Sequence, residues 1–417
     1  LTLAWISIAA LVTAVLLSCF TTINVGLLAM AMAMLIGVYL GGMSLDQVLD
    51  EFPVPLLVTL IGVTLLFSIA ESNGTLARVT ARAVRLCRGH AGMLPIMFFL
   101  LGWVIATIGA GATPASALLA GPAMAVAGRA GVPPLLMAIM AGNGVLAGTL
   151  SPFAPTGIVA HGVMERIGLG GVEWKTYGLN AFAHALVGFG GFVLLGGLGL
   201  FKKRGAVVGV ADGVDATEVE AMETRHWLTA FGIALLIVTV AGFGLDVGLV
   251  ALVIAVALTL LRTVDEQKAI KGMPWGVILM VTGVSVLISM MRETQGLALI
   301  TSGIASLSTP ATIAPIVAFG VGLVSVYSST SGVVLPAFLP MAPDLARHLA
   351  LEPLPIAWSM NVSASLVDLS SLSTVGALFI AGAAPGSDVR ALFNSLLLWG
   401  LSMSLVGALL CWLLFGL

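Results

Sequence analysis

Along the chain, apolar residues gather into runs separated by short polar, glycine- or proline-bearing joints. The first set lies near 3–21, 24–42, 53–70, 92–110, 115–128, 132–147, 152–164 and 178–201. A polar linker, 202–226, follows. The second set lies near 228–244, 247–262, 274–291, 310–327, 332–343, 354–367, 371–384 and 391–416. Several of these runs approach the roughly 20 apolar residues a helix needs to span the hydrocarbon core of a bilayer. Composition agrees, because 59% of the residues are hydrophobic and 9% charged, far from the balance of a soluble domain. The expected fold is an all-α polytopic membrane protein. A net charge of −2 supplies no basic footprint for nucleic acid. Cys19, Cys87 and Cys411 are far apart and form no metal or redox motif. The opening run, Leu3–Phe20, lacks a basic leader and a cleavage site, and reads as a retained span.

The second set of runs echoes the first. Trp5 stands before one series and Trp227 before the other. Asn24-Val-Gly-Leu-Leu-Ala matches Asp246-Val-Gly-Leu-Val-Ala, and the stretch from Phe52 to Thr64 matches that from Met273 to Ser285. Asn143 matches Asn361, and Ser151–Gly157 matches Ser370–Gly376. Five matches in order at a nearly constant offset make an internal repeat. A run of 14 residues such as 115–128 reaches only about 21 Å as a helix, so 92–128 reads as a re-entrant hairpin. The broken run 132–164 then makes one crossing. Each half has five crossings plus one hairpin, and an odd number inverts the second half against the first.

Charge orients the chain. With the N-terminus outside, Arg78, Arg82, Arg85, Arg88, Arg129, Lys202, Lys203, Arg204, Arg225, Arg262, Lys268, Lys271 and Arg390 fall inside. Arg166, Lys175, Arg292 and Arg347 fall outside. The positive-inside rule selects that arrangement, with both termini periplasmic and the charged linker cytoplasmic. The helically spaced Arg78, Arg82, Arg85 and Arg88 suggest an amphipathic surface helix.

Four polar interruptions fall at equivalent places. They are the hairpin tips 109–116 and 327–332 and the helix breaks 143–152 and 363–374. Broken helices expose free N–H groups, which suit carboxylates, and free carbonyls, which suit cations. Candidate substrate contacts are Thr113, Pro114, Asn143, Thr149, Ser151, Ser329, Thr330, Ser331, Asn361, Ser371, Ser373 and Thr374. Candidate ligands for a coupling cation are Asp368, Ser328, Thr330, Ser365, Ser370 and the Gly148 carbonyl. Asp368 is the most costly residue to bury, and would either coordinate Na⁺ or take up a proton. Read as a structural feature, it caps a helix while the serines bond back to carbonyls. His161 is a proton-relay candidate or a satisfied helix histidine, and Glu71 with Asn73 reads as an interfacial cap.

The stretches Asn24-Val-Gly-Leu-Leu-Ala, Leu40-Gly-Gly-Met-Ser and Leu60–Leu76 resemble the MatC-type dicarboxylate (malonate) carriers. Those carriers belong to the ion-transporter superfamily and are related to the divalent anion:sodium symporters. The resemblance implies a homodimer in a bacterial inner membrane, moving by an elevator mechanism. It implies scaffold parts at 1–71 and 227–292, and hairpin-bearing transport parts at 92–201 and 310–417, within repeats 1–201 and 227–417. The symporters carry a Ser-Asn-Thr motif at each tip. Here the tips read Ala112-Thr113-Pro114 and Ser329-Thr330-Ser331, keeping the threonines and lacking the asparagine.

The function expected is a secondary transporter importing malonate, malate or succinate with Na⁺ or H⁺, and no other cofactor. Alternatives are a cation/proton antiporter, or the membrane subunit of a binding-protein-dependent organic-acid carrier. A channel fits less well with two inverted halves. An enzyme is disfavoured because His-Glu-x-x-His, Gly-x-Ser-x-Gly and paired intramembrane aspartates are missing.

Overall fold

The matched motif Asn24-Val-Gly26 and Asp246-Val-Gly248 does two physical jobs in each half. The Asn24 side-chain oxygen accepts from the Gly26 and Leu27 amides, and Asp246 accepts from the Leu249 amide at 2.7 Å, so each residue caps a helix. The glycine two residues on then lets a helix of the other half cross closely. The computed structural model describes residues 2–416 apart from 21–22, 87, 90, 203–207, 210–220 and 385, with backbone alone for 18–20, 84–86, 88–89 and 208–209. Cys87, Lys203, Arg204 and most of the linker lie outside the described residues, as do the side chains of Cys19, Arg85 and Arg88.

The first half contains α1 (Thr2–Phe20), α2 (Val25–Met34, extended by a wider turn over Leu35–Leu40), α3 (Leu45–Asp50), α4 (Val54–Ser72) and α5 (Thr75–Leu86). It continues with α6 (Met93–Ile105, extended to Ala110), α7 (Ala112–Ala130), α8 (Pro134–Gly148), α9 (Pro155–Arg166), α10 (Glu173–Leu194) and α11 (Gly197–Leu200). The second half begins with α12 (Thr224–Phe243), α13 (Val247–Leu260), α14 (Glu266–Gly272), α15 (Trp275–Glu293) and α16 (Gly296–Ser306). It ends with α17 (Ile313–Tyr327), α18 (Leu335–Phe338), α19 (Ala342–Leu349), α20 (Pro353–Leu366), α21 (Thr374–Ala381) and α22 (Val389–Phe415). Apart from a two-residue antiparallel pairing of Arg88–Gly89 with Val208–Gly209, the described chain is helical. Among the described residues, seven helical stretches are long and apolar enough to cross a bilayer, and shorter apolar helices complete the bundle. The protein is a multi-pass membrane protein.

Packing repeats along with sequence. Helix α2 lies on α15, and α13 lies on α4. A Cβ on Gly283 would stand 1.9 Å from the Gly26 carbonyl oxygen, and one on Gly62 would stand 2.3 Å from that of Gly248. Backbone therefore touches backbone at both crossings, as small residues allow between membrane helices. Beyond them, α6 and α10 pack on α8, while α17 and α22 pack on α20. The α4 end is tied to the second half as well. Asn73 donates to Thr229 at 2.8 Å while its oxygen accepts from Thr75, so it joins the halves rather than serving only as a cap.

Four features differ from the sequence reading. Helix α7 has 19 residues where 14 were expected, because Gly109-Ala-Gly111 makes the turn and the polar residues after it are helical. Its length alone would let it cross. The hairpin tip nevertheless stops against the break of the next crossing, where a Cβ on Gly111 would touch Pro155 and one on Gly109 would meet the Phe153 carbonyl. The run 332–343 is not one helix. Pro336, Pro340 and Pro343 divide it into a wide turn over Thr330–Val334, α18, a 3-10 turn over Leu339–Met341 and α19. The run 178–201 begins earlier, at Glu173, and divides at Gly196, which has φ +81°. Helix α16 falls at Gly296–Ser306, where no run was expected, since Thr301 and Ser302 interrupt its apolar pattern.

Candidate substrate and cation site

Each break is a short non-helical step between two half-helices, built alike in both halves. After α8, residues 149–154 turn and α9 begins. After α20, a 3-10 turn over Val367–Leu369 and residues 370–373 lead to α21. A Cβ on Gly157 would sit 2.0 Å from the Ser151 carbonyl oxygen, and one on Gly376 would sit 2.0 Å from that of Ser370. The glycine in each match is thus the place where the second half-helix folds back over the break.

Each hairpin tip docks on the break of its own half, with different chemistry. At the first junction, Ser151 donates to the Thr107 carbonyl at 2.7 Å, and the Thr107 hydroxyl shares a 2.9 Å bond with the Tyr177 hydroxyl, which also accepts from Trp103. The N-termini of α7 and α9 meet here, and neither has a side-chain cap. At the second junction, Thr330 donates to the Asp368 carboxylate at 2.5 Å and lies 2.6 Å from the Ser325 hydroxyl. Ser325 donates to the Ala364 carbonyl at 3.0 Å. Here both helix starts are capped, by Ser329 on the Gly332 amide and by Ser373 on the Gly376 amide. Ser373 also bonds the Asp368 carbonyl.

A buried histidine joins the junctions. His184 on α10 lies 2.9 Å from the Asn143 amide oxygen through Nδ1 and 3.0 Å from the Ser365 hydroxyl through Nε2. Because the Asn143 amide nitrogen donates to the Ile139 carbonyl, its oxygen can only accept, so the His184 Nδ1–H donates. Alongside, Leu369 occupies the space that a side chain on Gly142 would need. The two breaks therefore lie side by side across the repeat boundary.

The expected residues divide on this frame. Asn143, Ser151, Thr330, Asp368 and Ser365 come together around the junctions. Ser370 is buried and its hydroxyl accepts from the Leu372 amide, while Ser328, Ser329 and Ser331 are half-buried at the second tip. Asn361 and Ser371 are buried, each with a side-chain oxygen that finds no partner among the described residues. Thr149 bonds its own helix at Leu146, and the Gly148 carbonyl accepts from the Ser151 amide. A Cβ on Gly148 would meet α6 at 2.7 Å, so that position serves close packing. Thr113 and Thr374 are exposed on the first turns of α7 and α21, with Pro114 half-buried beside Thr113. His161 is bonded to the Leu150 carbonyl at 3.0 Å, and is a satisfied helix histidine.

His184, Tyr177, Thr107 and Ser325 escaped the sequence reading. Thr107 and Ser325 carry a usable signal, as polar residues standing at matching distances before the two tips. His184 carries none, since a lone histidine in an apolar run has no spacing to read. Among the described residues, no cluster of three or more His, Cys, Asp or Glu side chains could hold a metal ion. The second junction offers instead hydroxyls, a carbonyl and one carboxylate, the donor set of a hard cation or a proton.

Comparison with curated proteins finds no match. Among solved structures, the Alcanivorax borkumensis YdaH transporter, whose crystal structure revealed an unusual topology, superposes with a TM-score of 0.59 over 100% of this chain and 98% of that one, at 16% identity. That likeness is one of fold. Residues 1–149 match the family described as the dicarboxylate carrier protein MatC N-terminus. The first 149 residues of the chain are thus similar to the N-terminal part of dicarboxylate carriers.

Proposed function

We propose that the protein is a secondary transporter that imports small dicarboxylates such as malonate, malate or succinate, coupled to Na⁺ or H⁺. The observation that carries this reading is the opposite character of the two junctions. Uncapped N-termini of α7 and α9 present partial positive charge without a basic side chain, which suits a carboxylate. Asp368, Thr330, Ser325 and the Ala364 carbonyl present oxygen, which suits a cation. His184 couples one to the other. The names of the matched family and of the YdaH transporter support the same reading.

In this proposal α1 to α4 and α12 to α15 form the scaffold of a homodimer, held by the glycine crossings. The tips and breaks ride in a mobile part of two inverted halves. The membrane is a bacterial inner membrane, with both termini periplasmic. Uptake of labelled malonate and succinate into proteoliposomes, with sodium and proton gradients imposed separately, tests it. Sodium-driven uptake would make the Asp368 cluster a sodium site, and uptake driven by the proton gradient alone would make Asp368 the proton carrier. Uptake of neither acid would overturn the importer. Asp368 among neutral oxygens would then favour a cation/proton antiporter, checked by cation-dependent proton release from the same vesicles.

A further inference from the structure

Three of the four basic residues assigned to the outer face converge on one basin away from the junctions. Arg166 ends α9 and Arg292 lies in the last turn of α15, and both line two adjoining cavities of about 260 and 650 Å³. Arg347 and His348 of α19 line the larger. Either arginine, taken alone, is a cation in the last turn of a helix, favoured by the dipole. Their convergence has a further feature that the dipole does not explain. Ser285, seven residues before Arg292 on α15 and so about 10 Å deeper, lines the smaller cavity. The residue is 4% exposed, and its hydroxyl finds no partner among the described residues. A buried hydroxyl without a partner is costly, and a ligand in the cavity would satisfy it. Arg166 also reaches the Ser289 hydroxyl at 3.4 Å on the same wall.

We propose that the smaller cavity is an access site for a small dicarboxylate, separate from the junctions. The anion is gathered in the larger basin and held by Arg166 and Arg292, with Ser285 donating at the inner end. Assignment of the ligand as a dicarboxylate rests on the proposed function; the anion-attracting chemistry does not. The smaller cavity, about 260 Å³, has room for a short diacid. Its walls come from both the scaffold, through Glu51 and α15, and the second hairpin, through Pro336 of α18. An anion held there is positioned on the boundary where the two parts would slide. Glu51 lines the same cavity and opposes the arginines in charge, and Asp344 is paired with Arg347 in the outer basin.

The test is the labelling of Ser285→Cys in proteoliposomes by sulfonatoethyl and trimethylammonioethyl methanethiosulfonates, with the unsubstituted protein as background for its own cysteines. Relative to their rates with a small free thiol in solution, the anionic reagent is expected to gain about tenfold over the cationic one, as a basic cleft concentrates anions. Arg292→Gln should remove most of that preference, Glu51→Gln should enlarge it, and malonate or succinate should slow the labelling. A rate ratio no different from that with the free thiol, no labelling, or no protection by either acid would overturn the site. Should Ser285→Cys fail to fold, Arg292→Gln alone decides. Its uptake KM should rise severalfold and lose salt dependence at unchanged kcat, and an unchanged KM and salt dependence would overturn the proposal. Charge-selective labelling without uptake would remove the transport reading and leave the anion basin. Uptake without charge-selective labelling would remove the basin alone.

Discussion

Among the described residues Asp368 meets one donor, Thr330, within a shell of neutral oxygens, and that arrangement makes the carboxylate's charge available to a cation. Asp368→Asn keeps the shape and an oxygen that can accept from Thr330, so the fold should persist while the charge is lost. A hydrogen bond or ion contact to a charged group is worth about 1.5–3 kcal/mol, which is roughly 10- to 100-fold. Gradient-driven uptake should therefore fall by at least that range in Asp368→Asn, with an unchanged elution volume on gel filtration. Thr330→Ala should leave transport possible and raise the cation concentration needed for half-maximal uptake by about tenfold, as one ligand is lost. Full coupling in both variants would reduce the second junction to a helix cap. Asp368 and Thr330 were legible in the sequence because polar residues inside apolar runs are expensive. Their neighbour Ser325 shows in the sequence only through its match with Thr107 at the same distance before the other tip, and His184, the single histidine of α10, has no such match to read.

Helix breaks, the next scale up, follow from backbone sterics. A side chain at position 157 would collide with the Ser151 carbonyl and one at 376 with the Ser370 carbonyl, each at 2.0 Å. Gly157→Ala and Gly376→Ala should thus force the half-helices apart and abolish uptake. Gly178 on α10 offers a control, since a methyl there meets nothing within 4 Å. Gly178→Ala should keep full uptake and stabilise the protein by about 0.4–1 kcal/mol, read as a higher melting temperature in detergent. If Gly157→Ala transports normally, the fold-back of α9 is not part of the site. The breaks themselves were readable as glycine- and proline-bearing joints at equivalent offsets. The division of the second hairpin's returning arm was less so. Its prolines lie within an apolar stretch, and periodicity over so few residues does not separate one helix from three short ones.

For the whole molecule, the reciprocal crossings of α2 with α15 and α13 with α4 tie the halves through backbone contact, whereas the second hairpin meets α15 through side chains. A Cβ on Gly332 would lie 2.3 Å from Met280 Sδ and 3.1 Å from its Cγ. Met280 belongs to the proposed scaffold and Gly332 to the proposed mobile part, so their contact must break if one part slides past the other. Replacing both with cysteine removes the long thioether and leaves two Cβ atoms near the 3.5–4.5 Å that a disulfide needs. The Met280→Cys, Gly332→Cys protein should cross-link on mild oxidation, seen as a free-thiol count reduced by two. Uptake should stop when the bond forms and return when it is reduced, while each single variant stays active under oxidation. Binding of the anion should survive cross-linking, because the first junction lies on the other hairpin. A cross-linked protein that still transports at its full rate would show that α15 and the second hairpin move as one body. The elevator would then be lost, even with the substrate, the cation and the repeat left in place.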